Sequence, residues 1–200
     1  MLLASSNPGK LHEFRALASE YSSIAAVALE LLPTFSQIPE FEESAPTFAE
    51  NAAGKALYYS RWAQLPLLAD DSGLVVDALD GAPGVQSARY AGPGASDAQR
   101  NAKLLDELRA AGAAHRRARF VCVIALARRG RPMGIFSGSV EGEILDAPRG
   151  PDGFGYDPVF FLPALGKTFA EIPLAEKNLY SHRGKAFRKL LAFLAASPVL

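Results

Sequence analysis

Apolar residues along this chain fall into short runs whose spacing switches repeatedly between that of a strand and that of a helix. Leu2-Leu3-Ala4 is a short apolar run, and polar Ser5-Ser6-Asn7-Pro8-Gly9-Lys10 follows at once. Leu11, Phe14, Leu17 and Ala18 then recur at the three-to-four spacing of one helix face, which predicts strand, tight loop and helix in that order. Ile24 to Leu29 reads as a second strand, before a loop with Pro33, Pro39 and the acids Glu40, Glu42 and Glu43. Thr47-Phe48-Ala49-Glu50 fits a capping box and opens an Ala-rich helix through Trp62, which Leu65-Pro66 stops. Leu67-Leu68-Ala69 is a short strand broken by Asp70-Asp71-Ser72-Gly73, and Leu74 to Leu79 resumes an extended run.

Ser96 to Ala110 is amphipathic, with Ser96 as N-cap and Leu104, Leu105 and Leu108 inward. Arg119 to Arg128 and Gly134 to Ile144 read as two long antiparallel strands around Arg129-Gly130-Arg131-Pro132. Ala147 to Asp157 is a loop rich in glycine and proline, Val159-Phe160-Phe161 a short strand, and Ser181 onward a last helix burying Phe187, Leu190, Leu191 and Leu194. Helices interspersed with strands imply an α/β fold, and the long antiparallel pair implies a mixed β-sheet with flanking helices. No repeat or linker divides the chain, so residues 1–200 read as a single domain.

Composition narrows this picture without changing it. At 49% hydrophobic, 200 residues can bury a substantial core without staples. The one cysteine, Cys122, sits in the run Phe120 to Leu126, where a packing role is expected and no disulfide or zinc site is. Twenty-one basic and 21 acidic residues cancel, which argues against a duplex nucleic acid as partner. No apolar run approaches the roughly 18 residues of a membrane span, and the first residues are too short for a signal sequence, so the expectation is a cytoplasmic protein with no membrane partner.

Four segments hold candidate chemistry. Ser5 to Lys10 places a turn, helix-start amides and a lysine where phosphate oxygens could sit, though a capped helix start with a solvated lysine explains it equally. Asp70-Asp71, with Glu42-Glu43, supplies adjacent acids that raise each other's pKa unless a cation meets them, and Mg²⁺ is the hard cation such oxygens suit. A plain turn capped by one aspartate remains the other reading. In Gly150 to Pro158, Phe154 can stack on a planar base and Asp157 can accept from ring N–H groups, or the loop is only a turn. Lys177, His182 and Arg183 crowd what reads as a helix start, where the dipole disfavours cations, so either a ligand with acceptor oxygens or an exposed basic surface accounts for them. His12 and His115 read as surface residues. The serine-hydrolase, zincin, C-x-x-C and dinucleotide fingerprints are absent from the sequence.

Taken in order, these blocks resemble the Ham1/RdgB family of inosine triphosphate pyrophosphatases over essentially the whole chain. The residues that carry the resemblance are Ala4 to Lys10, Glu42-Glu43-Ser44 with Thr47 to Ala52 and Lys55-Ala56, Ala69 to Leu74, Gly81 to Gly84 with Ser87 to Tyr90, Gly153 to Phe160, and Ala175-Glu176-Lys177 with Ser181-His182-Arg183. The resemblance implies a two-lobed α/β fold around a cleft, a homodimer, and Mg²⁺-dependent hydrolysis of non-standard purine triphosphates (dITP, ITP, XTP, dXTP) to monophosphate and pyrophosphate. It also implies site residues: Asp71 as proton acceptor; Glu43, Asp71 and neighbouring Asp70 toward the metal; Ser5, Ser6, Asn7, Pro8, Gly9, Lys10 and Lys55 around the triphosphate. Ser72, Phe154, Gly155, Tyr156, Asp157, Lys177, His182 and Arg183 fall at substrate-binding positions. Ser5-Ser6-Asn7 departs from the Thr-Gly-Asn of many members, which bears on loop geometry. Two rivals remain, a non-catalytic nucleotide sensor and a pyrophosphatase for modified pyrimidine nucleotides. The intact acids speak against the first, and the Phe154 to Asp157 and Ser181 to Arg183 blocks, by resemblance, against the second.

Overall fold

The computed structural model describes residues 1–24, 27–33, 35–112 and 115–196. Its regular elements are β1 (Leu2–Leu3), α1 (Pro8–Glu20), β2 (Glu30–Leu31), α2 (Phe48–Tyr59), β3 (Leu67–Val76), α3 (Asp97–Ala110), β4 (Arg117–Arg128), β5 (Arg131–Ile144), β6 (Phe160–Leu162), β7 (Lys167–Thr168), α4 (Leu174–Tyr180) and α5 (His182–Ala196). The strands form one sheet in the order β2-β1-β3-β4-β5-β6-β7. β1 runs parallel to both β2 and β3, with Leu3 opposite Leu31 and Leu68, whereas β6 is antiparallel to β5 and to β7. The sheet is therefore mixed, as the alternation of elements implies.

By contacts the chain forms two compact units. One comprises Met1–Asp71, Cys122–Gly138 and the residues from 182 onward; the other comprises Ser72–Val121 and Ser139–Ser181. In the first, Phe14 and Leu17 of α1 and Phe187, Leu190 and Leu191 of α5 pack on Leu3, Leu68, Cys122, Ile124 and Leu126 of the strands. Cys122 is fully buried there, and burial pushes its thiol pKa up, consistent with packing and not reactivity. In the second, Leu104 and Leu108 of α3 join Leu74, Val76, Phe120, Phe160 and Phe169, with the Phe160 and Phe169 rings stacked at 5.3 Å. Filling both interiors with aromatic and branched side chains supplies most of the driving force for each unit.

Several sequence expectations are corrected here. β2 lies at Glu30–Leu31 and not over 24–29; Ile24 is exposed in a turn, and residues 25 and 26 lie outside the described residues. Backbone pairing defines this edge strand, through Glu30 N–H to Met1 O at 3.1 Å and Leu32 N–H to Leu3 O at 3.0 Å, so its apolar content is a poor guide. Asp70 and Asp71 do not end a strand; β3 passes through them without interruption for ten residues. Lys177 does not open the last helix, because α4 and a bend at Ser181 separate it from α5. The β4–β5 hairpin turns on only two residues, Arg129 (φ 51°) and Gly130 (φ 75°), the positive-φ pair that matches strand twist.

Gly138 of β5 is required by close packing. A Cβ there would lie 2.6 Å from Ala186 N and 2.8 Å from Lys185 Cβ, both in the first turn of α5. At Gly134 on the same strand, the nearest atom is the tip of the Phe136 ring at 2.7 Å, which can turn aside. Gly138→Ala is expected to destabilise by about 1–3 kcal/mol, and Gly134→Ala by much less, as read by urea denaturation; equal effects would remove Gly138 as the anchor of α5.

Candidate active site

Successive strand residues point to opposite faces of a sheet, so Asp70 and Asp71 need separate partners. Asp70, with its side chain 1% exposed, meets Lys10 of α1, with Nζ to Oδ2 at 2.9 Å. Asp71 is served by α2, whose Asn51 donates from Nδ2 to Asp71 Oδ2 at 3.0 Å. The same Asn51 side chain bonds both the N–H and the carbonyl of Ala45, at 3.0 and 3.2 Å, and so fixes the loop that carries Glu43. Lys55, one turn beyond Asn51, forms an ion pair with Glu43 and donates to the Asp70 carbonyl at 3.2 Å.

These contacts set the charge state of each acid. Burial opposes ionisation of Asp70, but Lys10, Arg183 and Lys55 outweigh it and hold its pKa below the usual carboxylate range. Asp71 goes the other way. Burial first, then the negative charge of Glu43, push it up to about 6, against the pull of Lys10 and Asn51. For Lys55, burial is outweighed by Asp70 and Glu43, and its pKa rises. Two adjacent carboxylates thus sit at opposite ends of their range, the pattern that separates acid and base roles in a site.

At the loop before α1 both sequence readings are partly realised. Asn7 caps the helix, accepting from Lys10 N–H at 3.1 Å, and Ser5 Oγ accepts from Asn7 N–H at 3.2 Å. The helix start is capped, yet the lysine is not solvated: it is committed to Asp70. Ser6 and Pro8 are exposed, Asn7 and Gly9 half-buried. One turn further along α1, Glu13 is 3% exposed and ion-paired with Arg183 at the start of α5, whose guanidinium also lies 5.7 Å from the Phe14 ring centre. The cation crowding at α5 is therefore neither an exposed basic surface nor solvated: His182 and Arg183 are both buried.

The second unit contains the other sequence candidates. Asp157, 2% exposed, is ion-paired with Lys177 of α4 and accepts from Phe154 N–H at 2.9 Å. Lys177 Nζ lies 5.1 Å from the Phe154 ring centre and 5.3 Å from that of Phe169. Gly155, at φ 64°, is held from both sides by α3: its N–H donates to Asp97 Oδ2 at 2.7 Å, and its carbonyl accepts from Asn101 at 3.1 Å. Tyr156 OH donates to Ser87 O at 2.9 Å. Ser72 is half-buried on β3, next in sequence to Asp71. Phe154 to Asp157 is thus a braced loop whose backbone conformation is set by protein partners.

Sequence reasoning did not single out Glu13, Asp97 or Asn101, nor Asn51 as the partner of Asp71. Glu13 left a legible signal, because it interrupts the buried stripe of α1 at a position flanked by Phe14 and Leu17. A carboxylate on such a stripe requires a cation in the fold. Asp97 and Asn101 left none, since their bonds to the Gly155 backbone come from far away in sequence.

The acids fit a hard divalent cation by their chemistry. Glu43 and Asp71 are oxygen donors coupled closely enough that one raises the pKa of the other, which is the situation a cation relieves. Among the described residues no group of three or more His, Cys, Asp or Glu forms a ready-made cage. That suits an ion held by one or two carboxylates together with substrate phosphates.

A raised folded-state pKa makes ionised Asp71 a liability in metal-free protein. Between the unfolded value near ~4 and the folded value of about 6, the unfolded chain loses its proton while the folded one keeps it, so stability falls as pH rises through this window and stays low above it. Asp71→Asn retains the acceptor for Asn51 and has no charge to desolvate. In EDTA it is expected to gain on the parent between pH 5 and 7, reaching about 1–3 kcal/mol by pH 8. Urea titrations across that range check this, and a variant less stable than the parent at pH 8 would contradict the charge assignment.

Comparison with known proteins identifies the family. The sequence model of the Ham1 family matches residues 1–193. The dITP/XTP pyrophosphatase of Ralstonia nicotianae is 52% identical over 198 residues, covering 96% of this chain and 94% of that protein. The Geobacillus kaustophilus dITP/XTP pyrophosphatase is 50% identical over 190 residues, covering 95% and 91%. Among solved structures, a HAM1 protein from Coxiella burnetii superposes with a TM-score of 0.86 at 44% identity over 98% of both chains, and the Staphylococcus aureus Ham1 protein with 0.83 at 38% identity over 98% and 97%. With a family match over nearly its whole length, and relatives at half identity spanning it, the chain belongs to the Ham1 family.

Proposed function

We propose that this protein is a Mg²⁺-dependent pyrophosphatase that hydrolyses non-standard purine nucleoside triphosphates (dITP, ITP, XTP, dXTP) to the monophosphate and pyrophosphate. The observation that carries the reading is Asp71, a buried carboxylate with its pKa near 6, next to a second carboxylate and within reach of two lysines. The names of the relatives at half identity support the substrate class.

In this reading Lys10 and Lys55 exchange part of their pairing with Asp70 and Glu43 for phosphate oxygens, and the loop Ser5 to Gly9 lies along the polyphosphate. Glu43 and Asp71, with Asp70 adjacent, would hold Mg²⁺. Bound there, a divalent ion neutralises phosphate charge and polarises the attacking water. Asp71 takes the proton of that water, a role suited to a base whose pKa lies near the working pH. The water oxygen forms the new bond to phosphorus, and pyrophosphate leaves with the bridging oxygen. Ser72, Phe154 to Asp157, Lys177, His182 and Arg183 serve sugar and base. Donors among Lys177, His182 and Arg183 meet the 6-keto oxygen of hypoxanthine or xanthine, whereas adenine would set an amino donor against them. A cytosolic homodimer completes the proposal, and light scattering of the purified chain tests the dimer.

The test of function is one assay. The chain is incubated with ITP, XTP, dITP, GTP, ATP and dUTP, with Mg²⁺ or EDTA, while pyrophosphate and orthophosphate release are measured separately. Pyrophosphate from the first three alone, abolished by EDTA, is expected. Asp71→Asn is expected to lower kcat by about 100-fold or more while remaining folded. Orthophosphate release, equal use of ATP, or near-parental turnover by Asp71→Asn would overturn the reading.

A further inference from the structure

The turn that joins β4 to β5 gathers cations that the proposed reaction does not use. Arg128 ends β4, Arg129 stands in the turn and Arg131 opens β5; with Met133 they line a cavity of about 510 Å³. All three arginines are exposed, as is Arg61 in the short 3₁₀ turn Ser60–Trp62. The stem of Arg61 lies over the same hairpin, since a Cβ built on Gly130 would be 3.5 Å from Arg61 Cγ. Residues 60 to 64 and 128 to 133 all belong to the first unit.

These four arginines stand apart from most others in the chain. Arg100, Arg109, Arg116, Arg117, Arg119 and Arg183 each meet a carboxylate. Among the described residues no carboxylate lies within ion-pair distance of Arg61, Arg128, Arg129 or Arg131, and the nearest polar partner of Arg129 is the neutral Gln64, at 3.5 Å. The sequence explains this, because no aspartate or glutamate stands between Glu50 and Asp70 or between Glu107 and Glu141. Overall neutrality therefore conceals a locally basic patch.

Two further features set the patch apart from a loose run of surface charge. Arg129 takes φ 51°, a conformation for which Asn, Asp or Gly is the favoured residue, so the chain carries a guanidinium here against backbone preference. The tip is also pinned, with Gly130 N–H donating to Ser60 Oγ at 3.0 Å, so the arginines project from a fixed backbone. Like charges around one cavity repel each other, and a multivalent anion turns that repulsion into attraction. Guanidinium forks match pairs of phosphate oxygens, and the volume lies in the range of small-ligand sites.

We propose that the β4–β5 tip is a binding site for an oligophosphate, free or carried by a nucleotide, recognised through its phosphates. Three arginines and a methionine line the cavity, and none offers a ring on which a base could stack. The site shares no residue with the acid–lysine cluster around Asp70 and Asp71, so it stands or falls separately from the proposed activity.

Isothermal titration calorimetry of the full chain with inorganic tripolyphosphate, in EDTA at low salt, compares the parent with Arg129→Asn/Arg131→Gln. Asparagine suits the backbone at 129, so the variant is expected to melt no lower than the parent. The parent is expected to bind one tripolyphosphate that the variant does not, while kcat/KM for ITP with Mg²⁺ stays within about twofold. Orthophosphate is expected to bind this site at least about tenfold more weakly than tripolyphosphate, because it meets fewer of the forks. Loss of ATP binding together with tripolyphosphate binding admits a nucleotide as the source; loss of tripolyphosphate alone restricts the site to the free oligophosphate. Equal stoichiometry and affinity in parent and variant overturn the proposal. Orthophosphate as tight as tripolyphosphate leaves an adventitious anion site only, and a preference for a single-stranded oligothymidylate assigns the patch to nucleic acid; either result overturns it. A larger fall in ITP turnover overturns it as a separate site. If the variant unfolds, Arg128→Gln/Arg131→Gln leaves the turn residues untouched and is held to the same outcomes.

Discussion

Two consecutive aspartates inside a continuous buried strand are the constraint around which the first unit is arranged. Because strand neighbours face opposite ways, the two carboxylates take their hydrogen bonds from different elements. The chain answers with a helix for each acid: α1 brings Lys10 to Asp70, and α2 brings Asn51 to Asp71. The answers differ in kind. A lysine pairs directly with Asp70 and helps hold its pKa low, while for Asp71 the Asn51 amide and the more distant Lys10 do not outweigh burial and Glu43. Were both met by lysines, both would be ordinary buried ion pairs and neither would be available as a base.

A second theme is that the polar candidates are fixed by the protein before any ligand arrives. Asp157 is held by Lys177 and by the Phe154 amide, Gly155 is clasped by Asp97 and Asn101, and Asn51 fastens the Glu43 loop through both atoms of the Ala45 peptide face it meets. Groups already ordered lose little further freedom on binding, so interaction with a ligand is less offset by entropy. Polar groups set in advance also favour developing charge more than mobile ones do. The glycines at 153 and 155, at φ 78° and 64°, let the backbone take a path that side-chain-bearing residues resist.

How much of this was legible depended on whether the signal was local. Helix α3 could be read nearly to the residue, because Ser96 and Gln99 form a complete capping box and the leucines follow at helical spacing. The hairpin of β4 and β5 was visible as one long apolar run and one weakly alternating run around an Arg-Gly pair. The second strand was missed because an edge strand of two exposed residues is made by backbone hydrogen bonds to β1, which composition does not reveal. The apparent break at Asp70-Asp71 misled for a related reason: charge normally ends a buried strand, and only partners from α1 and α2, 60 and 20 residues upstream, let it continue. The candidate acids and lysines were therefore identifiable as residues, but not their pairings, and Glu13 was not singled out although its place on the buried stripe of α1 was legible.

Electrostatics of the first unit gives the proposed metal requirement a physical basis independent of family. The coupled cluster holds Lys10, Lys55 and Arg183 against Glu13, Glu43, Asp70 and Asp71. With Asp71 protonated the charges balance; with Asp71 ionised, as a base must be, the acids are in excess by one. A polyphosphate approaching such a cluster meets no net attraction, and each lysine that turns to a phosphate oxygen leaves a carboxylate behind in a poorly solvated place. Two added positive charges would reverse both problems at once, giving Glu43 and Asp71 a partner and allowing Lys55 to turn to phosphate. The same ion would lower the pKa of Asp71 and so favour its basic form at neutral pH. On the proposed function, metal, substrate and active base would then be linked in one equilibrium.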